Sequence, residues 1–92
     1  MLEVVLSNRF KRDLKRISRR GYDVGLLEKT VQTLAEGKTL AASSHDHPLS
    51  GNWSGYRECH IQPDWILIYR TVNSELILLL MRTGTHSDLF DI

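Results

Sequence analysis

Three strand-like segments, residues 54–61 (SGYRECHI), 65–72 (WILIYRTV) and 75–82 (ELILLLMR), follow one another with almost no chain between them. Gln62-Pro63-Asp64 joins the first to the second, with proline suited to the second position of a tight turn, and Asn73-Ser74 joins the second to the third. Connections this short leave no room for a crossover helix, so the segments form an antiparallel meander. The third is apolar on both faces, which places it inside the sheet rather than at an edge. Upstream, Leu2, Val4 and Leu6 alternate with Glu3 and Val5, the pattern of a short strand with one buried face that completes the sheet beside the third segment. Ser7 or Asn8 can cap a helix whose apolar residues Phe10, Leu14 and Ile17 fall at helical spacing until Gly21. Asp23 opens a second helix carrying Val24, Leu27, Val31 and Leu34, with Gly37 as its stop. The expected fold is α+β, one domain over residues 1–92: two N-terminal helices packed on one side of a four-stranded antiparallel sheet, with a short C-terminal helical tail holding Leu89 and Phe90.

The 92 residues leave no room for a second domain or for a cavity enclosing a large organic cofactor. With 41% hydrophobic and 25% charged residues the chain folds as an ordinary globular protein. The longest apolar run, Leu76 to Met81, is too short for a bilayer, and the first ten residues do not read as a leader. A cytoplasmic protein with no membrane partner is expected. Cys59 is alone, so neither an internal disulfide nor a thiolate zinc site is available, and it reads as a packing residue. The net charge of +1 conceals a polarity. Residues 1–22 hold Arg9, Lys11, Arg12, Lys15, Arg16, Arg19 and Arg20 against Glu3 and Asp13, and the remainder of the chain is net acidic. Such a block is either a solvated helix face or an electrostatic footprint for phosphates.

Residues 38–53 lack periodicity and form a long loop bearing His45, Asp46 and His47; loops of that length in small domains tend to carry function. Counting outward from a two-residue turn at Asn73-Ser74 sets Trp65 opposite Arg82 and Leu67 opposite Leu80, while the Pro63-Asp64 turn sets Gln62 opposite Trp65 and His60 opposite Leu67. His60, Asp64, Trp65 and Arg82 then gather at one end of the sheet. A bulge changes the face of a residue without moving it from that end. Thr83-Gly84-Thr85 keeps His86 nearby, and the loop can fold His47 over the same edge. Three histidines, an acid and an arginine on an open surface match the needs of RNA cleavage through the 2′-hydroxyl: a base, an acid for the leaving 5′-oxygen and a cation for the developing charge, with no metal. The plainer readings are hydrogen-bonded surface histidines, a turn aspartate at Asp64, a paired Arg82 and core tryptophans at 53 and 65. A zinc site from His45-x-His47 with His60 or His86 lacks compact ligand spacing.

The motifs D-H-P-L (46–49), G-x-W-x-G-x-R (51–57), H-x-x-P-D-W (60–65) and R-x-G-x-H (82–86) occur in order with compatible spacing. Together they resemble the YafQ branch of the RelE/ParE-type bacterial toxins, closely over the C-terminal half and through the basic helix pair in the N-terminal half. The resemblance implies a ribosome-dependent mRNA endonuclease, without cofactor or metal, inhibited by a DinJ-like antitoxin and reaching operator DNA only in complex with that antitoxin. It implies catalytic roles for His47, His60, Asp64, Arg82 and His86. His86 is the favoured proton donor, His47, His60 and Asp64 share base and orienting roles, and Arg82 neutralises the scissile phosphate. Phe90 and Trp65 would touch substrate, and the seven basic residues from Arg9 to Arg20 would contact ribosomal RNA. Asp88, and Asp91 with Ile92 beyond Phe90, depart from the pattern and place acid near the phosphate. Two other readings use the same scaffold: a ParE-like toxin that binds DNA gyrase without cleaving RNA, and a nucleic-acid-binding repressor working through its basic helix.

Overall fold

The computed structural model describes residues 1–90; Asp91 and Ile92, and with them the expected acidic repulsion at residue 91, lie outside the described residues. Strand β1 (Glu3–Leu6) leads directly into helix α1 (Asn8–Arg19), followed by α2 (Val24–Ala35), β2 (His47–Pro48), β3 (Arg57–Gln62), β4 (Trp65–Val72), β5 (Ile77–Gly84) and α3 (His86–Phe90). The sheet order is β1-β5-β4-β3-β2. The four-stranded antiparallel sheet expected from the sequence is thus a five-stranded mixed one. β1 pairs parallel to β5, because α1 and α2 intervene before the meander, and the two residues of β2 add an edge strand within the stretch read as loop.

Both N-terminal helices cover one face. Ser7 caps α1 by accepting from the Phe10 N–H at 3.0 Å, and its hydroxyl donates to the Met81 carbonyl at 2.7 Å, tying the helix start to β5. Asp23 caps α2 through the Gly25 N–H. Phe10, Ile17, Leu27 and Leu34 pack against Cys59, Trp65, Leu67, Tyr69, Leu78 and Leu80 in the main core. β1 departs from the expected half-buried strand: Val4, Val5 and Leu6 all remain exposed, since the sheet ends there and no element covers it among the described residues. Val4 and Leu6 border an open apolar groove of about 450 Å³ against α2.

Register is decided by two bulges and one turn. The β4–β5 connection is a four-residue turn, Asn73 to Leu76, in which Leu76 adopts a left-handed φ of 55°, so Val72 pairs with Ile77 rather than Glu75. A bulge at Met81 shifts the count again, and Arg82 lies opposite Ile68 with Thr83 opposite Leu67. The pairs Trp65–Arg82 and Leu67–Leu80 expected from a two-residue hairpin are therefore corrected. In the other hairpin Gln62 does pair with Trp65, but a bulge at Ile61 sets His60 opposite Ile66. Because neighbouring side chains on a strand point to opposite sides, Glu58 and His60 share the face of Ile66 and Ile68, away from α1 and α2. That second face holds a smaller core of Ile66, Ile68 and Leu89 with Trp53, Tyr56, Met81 and Phe90 around it. No helix among the described residues is long and apolar enough to cross a membrane.

Candidate active site

On this second face one carboxylate is ringed by imidazoles. Glu58, 5% exposed, lies beside His47 on the neighbouring strand and two residues from His60 on its own. Its oxygens are 2.8 Å from His47 Nε2, 3.6 Å from His60 Nε2 and 3.8 Å from His86 Nε2. The other nitrogen of each ring decides what that ring can do. His47 Nδ1 faces the Pro48 carbonyl at 3.1 Å. Carbonyl and carboxylate both only accept, an arrangement that favours the charged ring, and the pKa of His47 is raised by the Pro48 carbonyl and then by Glu58. His60 Nδ1 donates to the Pro63 carbonyl at 3.1 Å, and its Nε2 faces the site. His86 Nδ1 donates to Asp64 Oδ1 at 2.8 Å, and the His86 backbone N–H reaches the same oxygen at 3.2 Å. These two bonds hold the Asp64 carboxyl below its ordinary range.

The position of His86 is built into α3. Thr85 Oγ1 accepts from the Asp88 N–H at 3.1 Å while Asp88 accepts from the Thr85 N–H at 3.0 Å, a reciprocal cap that starts the helix at His86. Arg20, at the end of α1, donates to both Asp88 oxygens at 2.7 and 3.1 Å and helps hold the Asp88 carboxyl down at about 2. Gly84 passes so close to Asp88 that a Cβ there would lie 3.0 Å from its Oδ2, which explains the glycine of R-x-G-x-H. Opposite, Asp46 accepts from the Tyr69 hydroxyl at 2.7 Å and from Arg57 Nε at 3.1 Å, pinning the histidine-bearing segment to the sheet.

Of the residues singled out from sequence, His47, His60, Asp64 and His86 come together, and the Phe90 ring lies 6.2 Å from that of His86. Trp65 does not join them. It is 1% exposed, donates to Thr83 Oγ1 and meets Tyr22 edge-on in the helix-side core, so the substrate contact expected of it is replaced by a packing role. Arg82 bonds bidentately to Asp13 at 2.8 Å and lines a basic groove of about 300 Å³ with Arg9, Arg12 and Arg16. Lys15, Arg19 and Arg20 line an adjoining groove with Arg12 and Arg16, and Lys11 is exposed on the same helix. Asp88, read as a source of repulsion toward phosphate, is neutralised by Arg20. Cys59 is buried and its thiol is pushed up to about 12 by desolvation, which keeps it inert.

Two residues of structural weight that no motif marks are Glu58 and Asp13. Glu58 was signalled by its two-residue spacing from His60 on a strand; Asp13 carries no such mark, because its partner is 69 residues away. Glu58, His60 and His86 also offer three ligand atoms within 4.8 Å of one another, a set of two imidazoles and a carboxylate that fits a divalent cation as well as proton transfer.

Comparison with known proteins gives a consistent result. A family model described as the bacterial toxin of type II toxin-antitoxin system, YafQ, matches residues 2–91. The mRNA interferase toxin YafQ of Escherichia coli K12 is 41% identical over 90 residues, covering 96% of this chain and 95% of the relative. A metal-bound toxin from Helicobacter pylori superposes with a TM-score of 0.92 at 43% identity, covering 98% of this chain and 100% of the other. The YafQ structure solved within the E. coli DinJ-YafQ complex superposes with a TM-score of 0.88 at 37% identity, covering 98% and 99%.

Proposed function

This chain belongs to the YafQ family of bacterial toxins of type II toxin-antitoxin systems, and from that premise we propose that it is an mRNA interferase, an endoribonuclease that cuts messages during translation. The observation that carries this reading is the convergence of His47, His60 and His86 on the buried Glu58 carboxylate at an open face. In the proposed reaction His60 Nε2 takes the 2′-hydroxyl proton, its Nδ1–H being held by the Pro63 carbonyl, and Glu58 balances the charge that results. His86 gives the proton to the leaving 5′-oxygen from Nε2; the bond from Nδ1 to Asp64 orients the ring for that transfer. The imidazolium of His47 faces the charge developing on the phosphate. Arg82 and the α1 stripe reach RNA phosphates from the neighbouring groove, and Phe90 supports the nucleotide beside His86.

The partners follow the same premise. A DinJ-like antitoxin is the inhibitor, as in the DinJ-YafQ complex, and the unpaired edge of β1 with its apolar groove offers such a protein an extended surface. The basic stripe from Arg9 to Arg20 faces ribosomal RNA, which delivers the site to the message. A gyrase poison or a repressor needs no proton-transfer groups around a buried carboxylate. Were a divalent ion resident, Glu58, His60 and His86 would hold it and it would supply Lewis-acid polarisation; the proton route above does not pass through it.

Mapping 5′ ends of translated messages after brief expression tests the proposal. Discrete cuts in wild type that vanish in His86→Gln support it; growth arrest without new 5′ ends overturns it in favour of a binder.

A further inference from the structure

The rings at the site form a ladder that extends past the proposed catalytic groups. Phe90 is 6.2 Å from His86, His86 is 5.4 Å from His60, and His60 is 5.6 Å from His45. The last rung serves no evident structural purpose. His45 stands in a left-handed conformation, φ 48°, after the turn Ala42–Ser44, and its ring is exposed. Its backbone N–H closes the turn on the Ala42 carbonyl at 3.1 Å, but among the described residues its ring nitrogens have no hydrogen-bond partner, and its one ring contact is with His60. A strained non-glycine residue held out beside a reactive cluster points to a ligand. Beside it opens a cavity of about 480 Å³ lined by Ser43, His45, His60, Ile61, Gln62 and Pro63.

We propose that this cavity is a nucleobase subsite, taking one unpaired base of the RNA next to the scissile phosphodiester and setting part of the sequence preference. The inference rests on the nuclease reading above. Neither Lys nor Arg lines the cavity, so it is poorly made for a phosphate, whereas the chain's basic grooves lie along α1. It offers what a base requires instead: an aromatic face at His45 and, at its rim, the exposed amide of Gln62 and the hydroxyl of Ser43 to meet base-edge donors and acceptors. Phe90 at the far end of the ladder supports a second nucleotide, and the phosphodiester between them lies over His60 and His86. His45 stacks and Gln62 selects.

The test compares wild type, His45→Ala, His45→Phe and Gln62→Ala by mapping 5′ ends of translated messages and tabulating base composition at each position flanking the cut. With His45→Ala, cuts persist but their yield falls roughly tenfold, the size expected from losing one stacking contact. His45→Phe, which keeps an aromatic face, retains the yield of cuts, and Gln62→Ala changes which base is preferred there. Unchanged composition and yield in both alanine variants would overturn the subsite while leaving the nuclease intact. Absence of cuts by the wild-type chain would overturn the nuclease reading and the subsite with it.

Discussion

Replacing Asp13 by alanine separates structural from catalytic duty at Arg82. Asp13 is 2% exposed and accepts two hydrogen bonds from Arg82 at 2.8 Å each and one from the Thr83 N–H at 3.2 Å. Beyond Leu6 the strand β1 no longer flanks β5, so this carboxylate stands in for a neighbouring strand where α1 crosses. Removing it strands a guanidinium whose side chain is 19% exposed, together with a buried N–H. Breaking a buried pair costs about 3–5 kcal/mol, and the orphaned N–H adds about 1–3 kcal/mol. Against a total stability of about 5–15 kcal/mol for a domain, Asp13→Ala leaves the fold close to its threshold. Deleting both charges in Asp13→Leu with Arg82→Met recovers most of the loss, because no charge is then left buried alone. Urea unfolding followed by circular dichroism across this cycle gives the coupling. A loss under about 1 kcal/mol for Asp13→Ala, or a double variant no more stable than the single, would refute the account. If Arg82 also serves the phosphate, the double variant folds but cleaves poorly.

Four further outcomes are expected. Glu58→Gln, which keeps the shape and removes the charge among the imidazoles, lowers the cleavage rate at least 100-fold with little change in melting temperature; near-normal cleavage would contradict its role. Asp88 is held from 3.8 down to about 2, so its contribution is complete above pH 3.8 and is lost as pH falls toward 2; after allowance for solvent at the 41% exposed Arg20 partner, Asp88→Asn costs about 1 kcal/mol near neutrality and flattens the acid limb of the stability curve, and an unaltered acid limb would argue against the pairing. Charge reversal at Arg12, Arg16 and Arg19 weakens cosedimentation with ribosomes most at low salt and flattens its salt dependence, while unchanged cosedimentation would remove the docking role. Cleavage that survives exhaustive chelation confirms the proton route, whereas loss restored by added zinc would assign Glu58, His60 and His86 to a metal.

Much of this architecture was legible in one dimension because its causes are local. Helical spacing of Phe10, Leu14 and Ile17, caps at Ser7 and Asp23, and the turn residues Pro63-Asp64 act within a few positions of themselves, so they mark elements wherever the chain goes. The gathering of His47, His60, Asp64 and His86 at one end of the sheet follows from strand lengths and short turns in the same way. Tertiary structure decided the rest. Two bulges and the left-handed Leu76 set which side chains oppose one another, and because strands alternate with period two, one extra residue moves a group from core to site. The pairings Asp13–Arg82 and Arg20–Asp88 span 69 and 68 residues; charged residues that look like solvated surface in sequence turn out to lock α1 to β5 and α3. Glu58 gains its importance only from imidazoles supplied by a neighbouring strand, its own strand and a distant helix. Local chemistry declares the elements, but which groups meet across them depends on a register that no short stretch of sequence contains.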